Sequence, residues 1–116
     1  MNKLTLACLF AASGIGFGAF GAHGLEDKLV ANDSVSTWDT AVLYHLIHAV
    51  ALFVLAAVDS LKSKWSYTLM SIGILLFSGS LYALALTKIG IFGPITPLGG
   101  LAFIAGWITL IFENKR

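Results

Sequence analysis

Two histidines three residues apart are the side chains of this sequence best suited to chemistry. His45 and His48 lie within an apolar segment, and residues at this spacing are neighbours on a helix. Two neighbouring imidazoles can share a metal ion, and with His23 as a third ligand they would resemble a catalytic zinc site with one open position. Alternatively, each imidazole donates a hydrogen bond to a hydroxyl or carbonyl of another helix, or belongs to a site for a polar ligand. These interpretations remain open, and the spacing alone does not predict a metal site.

Further polar side chains occur at a similar depth in the apolar segments. At the rise of an α-helix, Tyr44, His45 and His48 lie roughly 5–12 Å below one membrane boundary. Polar residues at membrane depth are costly and usually face the interior of a bundle. The pattern predicts an outward-facing polar pocket for an ion, a lipid headgroup or a small molecule. Its candidate lining residues are His23, Tyr44, His45, His48, Ser78, Ser80, Tyr82 and Thr96.

Four long apolar segments must position these side chains. They cover approximately residues 4–22, 37–58, 66–87 and 97–112, and each is long enough to cross the apolar core of a bilayer as a helix. Hydrophobic residues make up 58% of the 116-residue chain and charged residues 11%. We therefore predict an all-α fold, a four-helix transmembrane bundle with up-down topology, and a single integral membrane domain over residues 1–116. This leaves no room for a soluble catalytic module.

The basic residues between the segments predict the orientation. Five lysines and arginines flank the segments on the side that holds both termini, against two on the other side. Because basic residues favour the cytoplasmic side, we expect both termini in the cytoplasm. The formal net charge of +1 gives no indication of nucleic-acid binding. The five basic residues on the side of the termini are Lys3, Lys62, Lys64, Lys115 and Arg116, and the two on the other side are Lys28 and Lys88.

Capping signals predict where helices begin. The sequence Ser36–Asp39 fits a capping box, so the second spanning helix should begin near Thr37. Thr96 suits the N-cap of the fourth and Pro97 its first position. The first amides of that helix would then face the polar pocket. They either bind an anionic group there or belong to a tight turn with an ordinary cap. The apolar positions of residues 24–31 predict a brief helix on the outer surface.

Small residues recur along one face of the first segment and pair in the fourth. Glycine and alanine faces let transmembrane helices approach closely, since lipid tails supply no hydrophobic force between helices. The pattern predicts helix packing, with the partner either in the same chain or in another subunit. The residues are Ala7, Ala11, Gly14, Gly18 and Gly21, which we call the glycine seam, and Ala102 with Gly106.

No cofactor site is predicted. Gly16–Gly21 matches the GxGxxG dinucleotide fingerprint, but that fingerprint works only where a strand turns into a helix, and these glycines lie within a membrane helix. The sequence also lacks an evident pair of nucleophile and base, which disfavours an enzyme. A metal-dependent enzyme acting on lipid therefore ranks last among the functional hypotheses.

Three strings carry a family resemblance. Gly18–Leu25 reads GAFGAHGL, Ser78–Tyr82 reads SGSLY and Thr96–Gly100 reads TPLGG. The chain resembles the domain-of-unknown-function 423 family, small four-span membrane proteins of bacteria with a mitochondrial relative. The resemblance implies an integral protein of a bacterial inner or plasma membrane and supplies no activity. It also implies that these residues occupy motif positions: His23, Tyr44, His48, Tyr82, Thr96 and Pro97.

Two functional hypotheses follow. The first is a membrane-embedded binding protein or small transporter that uses the outward polar pocket. The second is a non-enzymatic structural or assembly subunit that docks on a partner through the glycine seam. The expected partners are the lipid bilayer and either a second copy of the chain or another membrane protein, without nucleic acid.

Overall fold

The part of the chain that the structure describes folds into five helices. The computed structural model describes residues 1–115, which hold α1 (Lys3–Ala22), α2 (Glu26–Ala31), α3 (Val35–Ala57), α4 (Lys64–Thr87) and α5 (Phe92–Glu113). All helices except α2 are long and apolar enough to cross a membrane. The prediction of an all-α, four-helix transmembrane fold is confirmed, because no strand occurs among the described residues.

The spanning helices pack mainly on their neighbours in sequence. α1 packs on α3, α3 on α4, and α4 on α5. Within the described chain, no Cα atom of α1 lies within 8 Å of one in α4, and the same holds for α3 and α5. The bundle therefore has two open sides, one between α1 and α4 and the other between α3 and α5. Side chains alone bridge these two sides.

The start of α1 and the end of α5 lie at the same end of the bundle. Lys3 Nζ donates to Ser63 Oγ at 3.3 Å, which joins the start of α1 to the connection 58–63. Asn114 Oδ1 accepts from the backbone N–H of Lys62 at 2.8 Å, which joins the end of α5 to the same connection. We call this the terminal end. The opposite end carries α2 and the connection 88–91, so successive spanning helices are antiparallel.

The expected short helix is α2, and it holds the opposite end of the bundle together. Leu29 is buried in a small apolar cluster with Trp38 of α3 and Ala85 of α4. Asn32 follows α2 and donates through Nδ2 to the carbonyls of Ala85 and Leu86, at 3.1 and 3.2 Å. These carbonyls belong to the last turn of α4, where helix carbonyls lack partners within the helix. α2 therefore also caps α4.

The helix α3 begins earlier than the capping box predicts. Its first residue is Val35, not Thr37. The backbone of Asp33 adopts a left-handed conformation with φ 52°, which reverses the chain after α2. The carbonyl of the next residue, Ser34, then accepts from the N–H of Trp38 at 3.0 Å. The first turn of α3 therefore already contains the predicted cap.

The start of α5 was also predicted too late. α5 begins at Phe92, so Thr96 and Pro97 lie inside the helix rather than at its cap and first position. Pro94 lies in the first turn, where its missing N–H costs no helix hydrogen bond. Thr96 donates through Oγ1 to the Phe92 carbonyl at 3.3 Å. Residues 98–100 are consequently internal, and their amides do not form the predicted anion site.

The helix α4 contains one π-helical segment that the sequence does not predict. It covers Ile74–Ser78 and continues directly into the α-helical remainder of α4. The N–H of Gly79 bonds to the carbonyl of Ile74, five residues earlier. Ser78 Oγ donates to the Ala41 carbonyl of α3 at 2.7 Å. π segments in α-helices frequently occur at functional sites.

The glycine seam of α1 faces α3 of the same chain. A Cβ atom added at Gly14 would lie 2.6 Å from Leu46 Cδ2, and one at Gly21 would lie 2.3 Å from Trp38 Nε1. Gly18 also lies against an α3 side chain. The helix that contacts the seam, which the sequence left open, is therefore α3.

Glycines also bring α4 and α5 together. A Cβ atom at Gly99 would lie 2.2 Å from the backbone N of Phe77, within the π segment. A Cβ atom at Gly106 would lie 2.9 Å from Met70 Cγ. Ala102, the other predicted packing residue of α5, is half-buried. The backbone of α5 thus lies directly against α4.

At the terminal end, Glu113 of α5 caps the start of α4. Its Oε2 accepts from the N–H of Trp65 at 2.9 Å, and its Oε1 from the N–H of Ser66 at 3.1 Å. These amides lack partners within their own helix, and the carboxylate also faces the positive end of the helix dipole. A side chain from another helix thus supplies the cap that Ser63 does not.

We expect Glu113→Ala to lower the free energy of unfolding by about 1–2 kcal/mol, the usual cost of a lost cap. The measurement is unfolding by SDS in mixed micelles. Asp59→Ala removes an exposed carboxylate at the same end and should change little. Equal stability of the two variants would contradict the capping role.

Candidate functional site

His45 lies near the middle of α3 and bridges the open side between α1 and α4. It is 3% exposed. Ser13 Oγ of α1 donates to the Phe10 carbonyl at 3.0 Å, so its only hydrogen is used there. His45 Nε2–H therefore donates to Ser13 Oγ at 3.2 Å. In the neutral imidazole, Nδ1 then accepts from the Tyr82 hydroxyl of α4 at 2.8 Å, so that both nitrogens are bonded.

Aromatic rings surround this imidazole. The ring of Phe17 meets those of His45 and Tyr82 edge-on, with centroids 6.0 and 4.8 Å apart. Trp38 stands next to Tyr82 at 4.7 Å. The indole Nε1–H of Trp38 donates to the Phe17 carbonyl at 2.8 Å, which fixes α1 to α3. The position of Tyr82 is thus set by rigid neighbours from two other helices.

A groove of about 230 Å³ opens between α1 and α4 beside this cluster. We call it the lateral groove. Its wall on α4 includes two residues of the π segment, and His45 lies between the two flanking helices. Since the groove lies between two spanning helices, it faces the bilayer. Its lining residues are Phe10, Ser13, Phe17, His45, Ile74, Leu75, Gly79 and Tyr82.

His48 bridges the other open side, between α3 and α5. It is 4% exposed and stacks on Phe103 with the ring centroids 3.7 Å apart. Trp107 Nε1–H can only donate, and it donates to His48 Nε2 at 3.0 Å. His48 Nδ1–H therefore donates to the Tyr44 carbonyl at 2.9 Å. This imidazole is also neutral, in the opposite tautomer to His45.

The other predicted pocket residues lie at different places. Ser80 and Thr96 pair with each other at 2.6 Å between α4 and α5, and Ser78 bonds to the α3 backbone. Tyr44 is exposed on the side of His48, and His23 is exposed where α1 ends. The structure thus distributes the eight candidates over several interfaces, and only His45 and Tyr82 meet at the lateral groove.

The histidines do not form a metal centre. Among residues 1–115 no three histidine, cysteine, aspartate or glutamate side chains are grouped so that they could hold a metal ion. His45 and His48 are adjacent on α3, but their nitrogens bond to different helices. The three-histidine interpretation is therefore wrong for this arrangement.

Sequence reasoning missed two bridging residues. Ser13 supplies the bond from α1 to His45, and Trp107 supplies the bond from α5 to His48. Each carried a signal in the sequence. Ser13 is a hydroxyl deep in the first apolar segment, and Trp107 is an indole well inside the fourth, whereas tryptophan is enriched at membrane interfaces.

Comparison with known proteins identifies the family. The family model described as a protein of unknown function, DUF423, matches residues 17–100. The chain belongs to the DUF423 family. It is 49% identical over 113 residues to UPF0382 membrane protein YwdK of Bacillus subtilis, covering 93% of this chain and 91% of that protein. It is 46% identical over 116 residues to a UPF0382 membrane protein of Staphylococcus haemolyticus, covering 97% and 94%. No solved structure matches.

The motif by which the sequence resembles the DUF423 family has a structural role here. In the string GAFGAHGL, Gly21 leaves room for the indole of Trp38. The N–H of Leu25 then bonds to the Phe20 carbonyl at 2.7 Å and closes the turn into α2. The string therefore places Trp38 against α1, while His23 within it stays exposed. This DUF423 protein is a multi-pass membrane protein, as its bacterial relatives are named.

Proposed function

We propose that this protein is a membrane-embedded binding protein whose site is the lateral groove. Its ligand is an apolar molecule of the bilayer that carries a hydroxyl headgroup. The observation behind the proposal is His45, an ionisable side chain buried near the middle of a spanning helix and placed beside a groove open to lipid. Ionisable residues at this depth are rare and usually serve a function.

The size and lining of the groove favour a lipid-like ligand. Small-molecule sites usually have volumes of about 300–1,000 Å³, and the lateral groove at about 230 Å³ is smaller. It therefore encloses part of a molecule while the remainder stays in the bilayer. Aromatic and aliphatic side chains form most of the walls, which suits a hydrocarbon chain or an isoprenoid.

The hydrogen-bond pattern favours a ligand that donates. Ser13 uses its hydrogen on Phe10, and Tyr82 uses its hydrogen on His45. Ser13 and Tyr82 both line the groove. Each hydroxyl oxygen retains a lone pair, so a ligand hydroxyl that reaches it can donate one more hydrogen bond. A ligand hydroxyl meets this requirement, whereas an ether or ester group does not.

Other functions receive less support. The glycine seam faces α3, so docking through that seam would require α1 to leave its place in the bundle. An ion site at the histidines would require the bonded nitrogens to give up their partners. On the distribution of lysines we place the terminal end, and hence both chain ends, in the cytoplasm.

We expect farnesol to bind about 5–10-fold more tightly than farnesyl methyl ether, since one hydrogen bond contributes about 1 kcal/mol. The two probes share the chain and differ in the donor. Affinities are measured from native mass spectra of the detergent-purified protein. Tyr82→Phe should lower the preference for the alcohol, because it removes one of the two accepting hydroxyl oxygens.

The matched control is Tyr44→Phe, which removes a hydroxyl on the other side of α3 and should leave the preference unchanged. Equal affinity of the unaltered protein for the two probes would reject a hydroxyl headgroup. Absence of any binding would reject the site itself.

A further inference from the structure

A second cavity lies at the terminal end of the bundle and shares no lining residue with the lateral groove. Its volume is about 220 Å³, and it lies between the connection 58–63 and the end of α5. Two lysines line it, one from each segment. The lining residues are Ser60, Leu61, Lys62, Glu113, Asn114 and Lys115.

The cavity is built by hydrogen bonds from Asn114. Its Oδ1 accepts from the N–H of Lys62 at 2.8 Å, and its Nδ2 donates to the Lys62 carbonyl at 2.8 Å. The same Nδ2 donates to the Leu110 carbonyl of α5 at 2.9 Å. Both backbone polar groups of Lys62 are thus fixed to the end of α5. The backbone of Lys62 is therefore held beside the end of α5, where Lys115 follows Asn114 in the chain.

The charge at this end is positive. Among residues 1–115, Glu113 is the only carboxylate that lines the cavity, and both its oxygens accept backbone N–H groups at the start of α4. Among the described residues, Lys3 and Lys64 add positive charge at the same end, and Asp59 is the other carboxylate there. Two positively charged residues therefore line the cavity, and the one carboxylate that lines it among the described residues is already bonded.

The depth of the cavity matches the lipid headgroups. It lies where α4 begins and α5 ends, and both are spanning helices. Trp65, one residue into α4, is 59% exposed, and tryptophan is enriched at headgroup depth. Basic pockets between spanning helices at this depth bind anionic headgroups. We propose that this cavity binds the phosphate headgroup of an anionic phospholipid.

The test is lipid binding by the full-length protein in neutral detergent, measured from native mass spectra during titration with phosphatidylglycerol. The variant K62Q/K115Q should bind it about 30-fold more weakly, at a factor of about 5 per lysine. K62R/K115R keeps both charges and should retain binding. The matched control K28Q/K88Q removes two exposed lysines at the opposite end and should bind as the unaltered protein does.

Three outcomes would overturn the proposal. Equal affinity for phosphatidylglycerol and phosphatidylethanolamine would reject recognition of a net negative headgroup. An equal loss of binding in K28Q/K88Q would show general surface attraction instead of a site. Inorganic phosphate that binds as tightly as phosphatidylglycerol would identify a site for free anions and reject a lipid. Thermal unfolding is measured without lipid to verify that each variant is folded. All four lysines are exposed, so their replacement should not change the unfolding temperature.

Discussion

Gly99→Ala is expected to lower the free energy of unfolding by about 3 kcal/mol or more. The added methyl group would lie 2.2 Å from the N and 2.6 Å from the Cα of Phe77. Overfilling a packed interior costs about 1–3 kcal/mol when side chains can adjust. Here the atoms in the way belong to the backbone of the π segment, so α5 itself must move away from α4. SDS unfolding in mixed micelles measures the loss.

The adjacent glycine provides the control. In Gly100→Ala the new methyl group would have its nearest contact at 3.8 Å, with the ring of Phe77, which is ordinary van der Waals distance. The two substitutions are chemically identical and lie in the same helix. Gly100→Ala should therefore be neutral or slightly stabilising, because alanine favours a helix over glycine. An equal loss of stability in both variants would mean that the close contact of Gly99 with the Phe77 backbone does not determine how α5 packs on α4.

Gly21→Ala is expected to cost about 2–3 kcal/mol. Its methyl group would lie 2.3 Å from Nε1 and 2.5 Å from Cδ1 of Trp38. The indole is 3% exposed and bonded to the Phe17 carbonyl, so it cannot turn aside without losing that bond. A buried N–H left without a partner costs about 1–3 kcal/mol, in addition to the steric strain. The loss of stability is measured by SDS unfolding, as for Gly99.

Gly16→Ala is the matched control for α1, since no heavy atom would lie within 4 Å of its methyl group. A double-mutant cycle with Trp38→Phe isolates the contact. Once the indole is gone, Gly21→Ala should cost clearly less than it does in the unaltered protein. Additive losses would mean that Gly21 and Trp38 do not act on each other.

The hydropathy of the sequence was sufficient to predict the spanning helices, because crossing a bilayer requires long apolar helical segments. The helix starts were less predictable. At Thr96 the pair of threonine and proline imitates a cap, yet the helix begins a turn earlier at Phe92, and Pro94 in its first turn costs no helix hydrogen bond. The π segment was also missed, because hydropathy does not distinguish it from an α-helix.

The candidate site was predictable only in part. The sequence indicates His45 and Tyr82 because polar residues at membrane depth are conspicuous. It does not indicate which helices they join, since hydropathy carries no information about how a helix is rotated. The structure adds that His45 turns toward α1 and α4, whereas His48 turns toward α5. The sequence predicted one pocket from the depth of these residues. In the structure, His45 and His48 instead form hydrogen bonds on two different sides of α3.

The packing of neighbouring helices also bears on how the protein is made. The closest contacts join α1 to α3 and α4 to α5, so each of these pairs can form as soon as its second helix enters the membrane. The two histidine bridges differ, because His45 needs Tyr82 and His48 needs Trp107, both of which are synthesised later. This order of contacts predicts that two helical hairpins assemble in the order of synthesis and that the histidine bonds join the hairpins last.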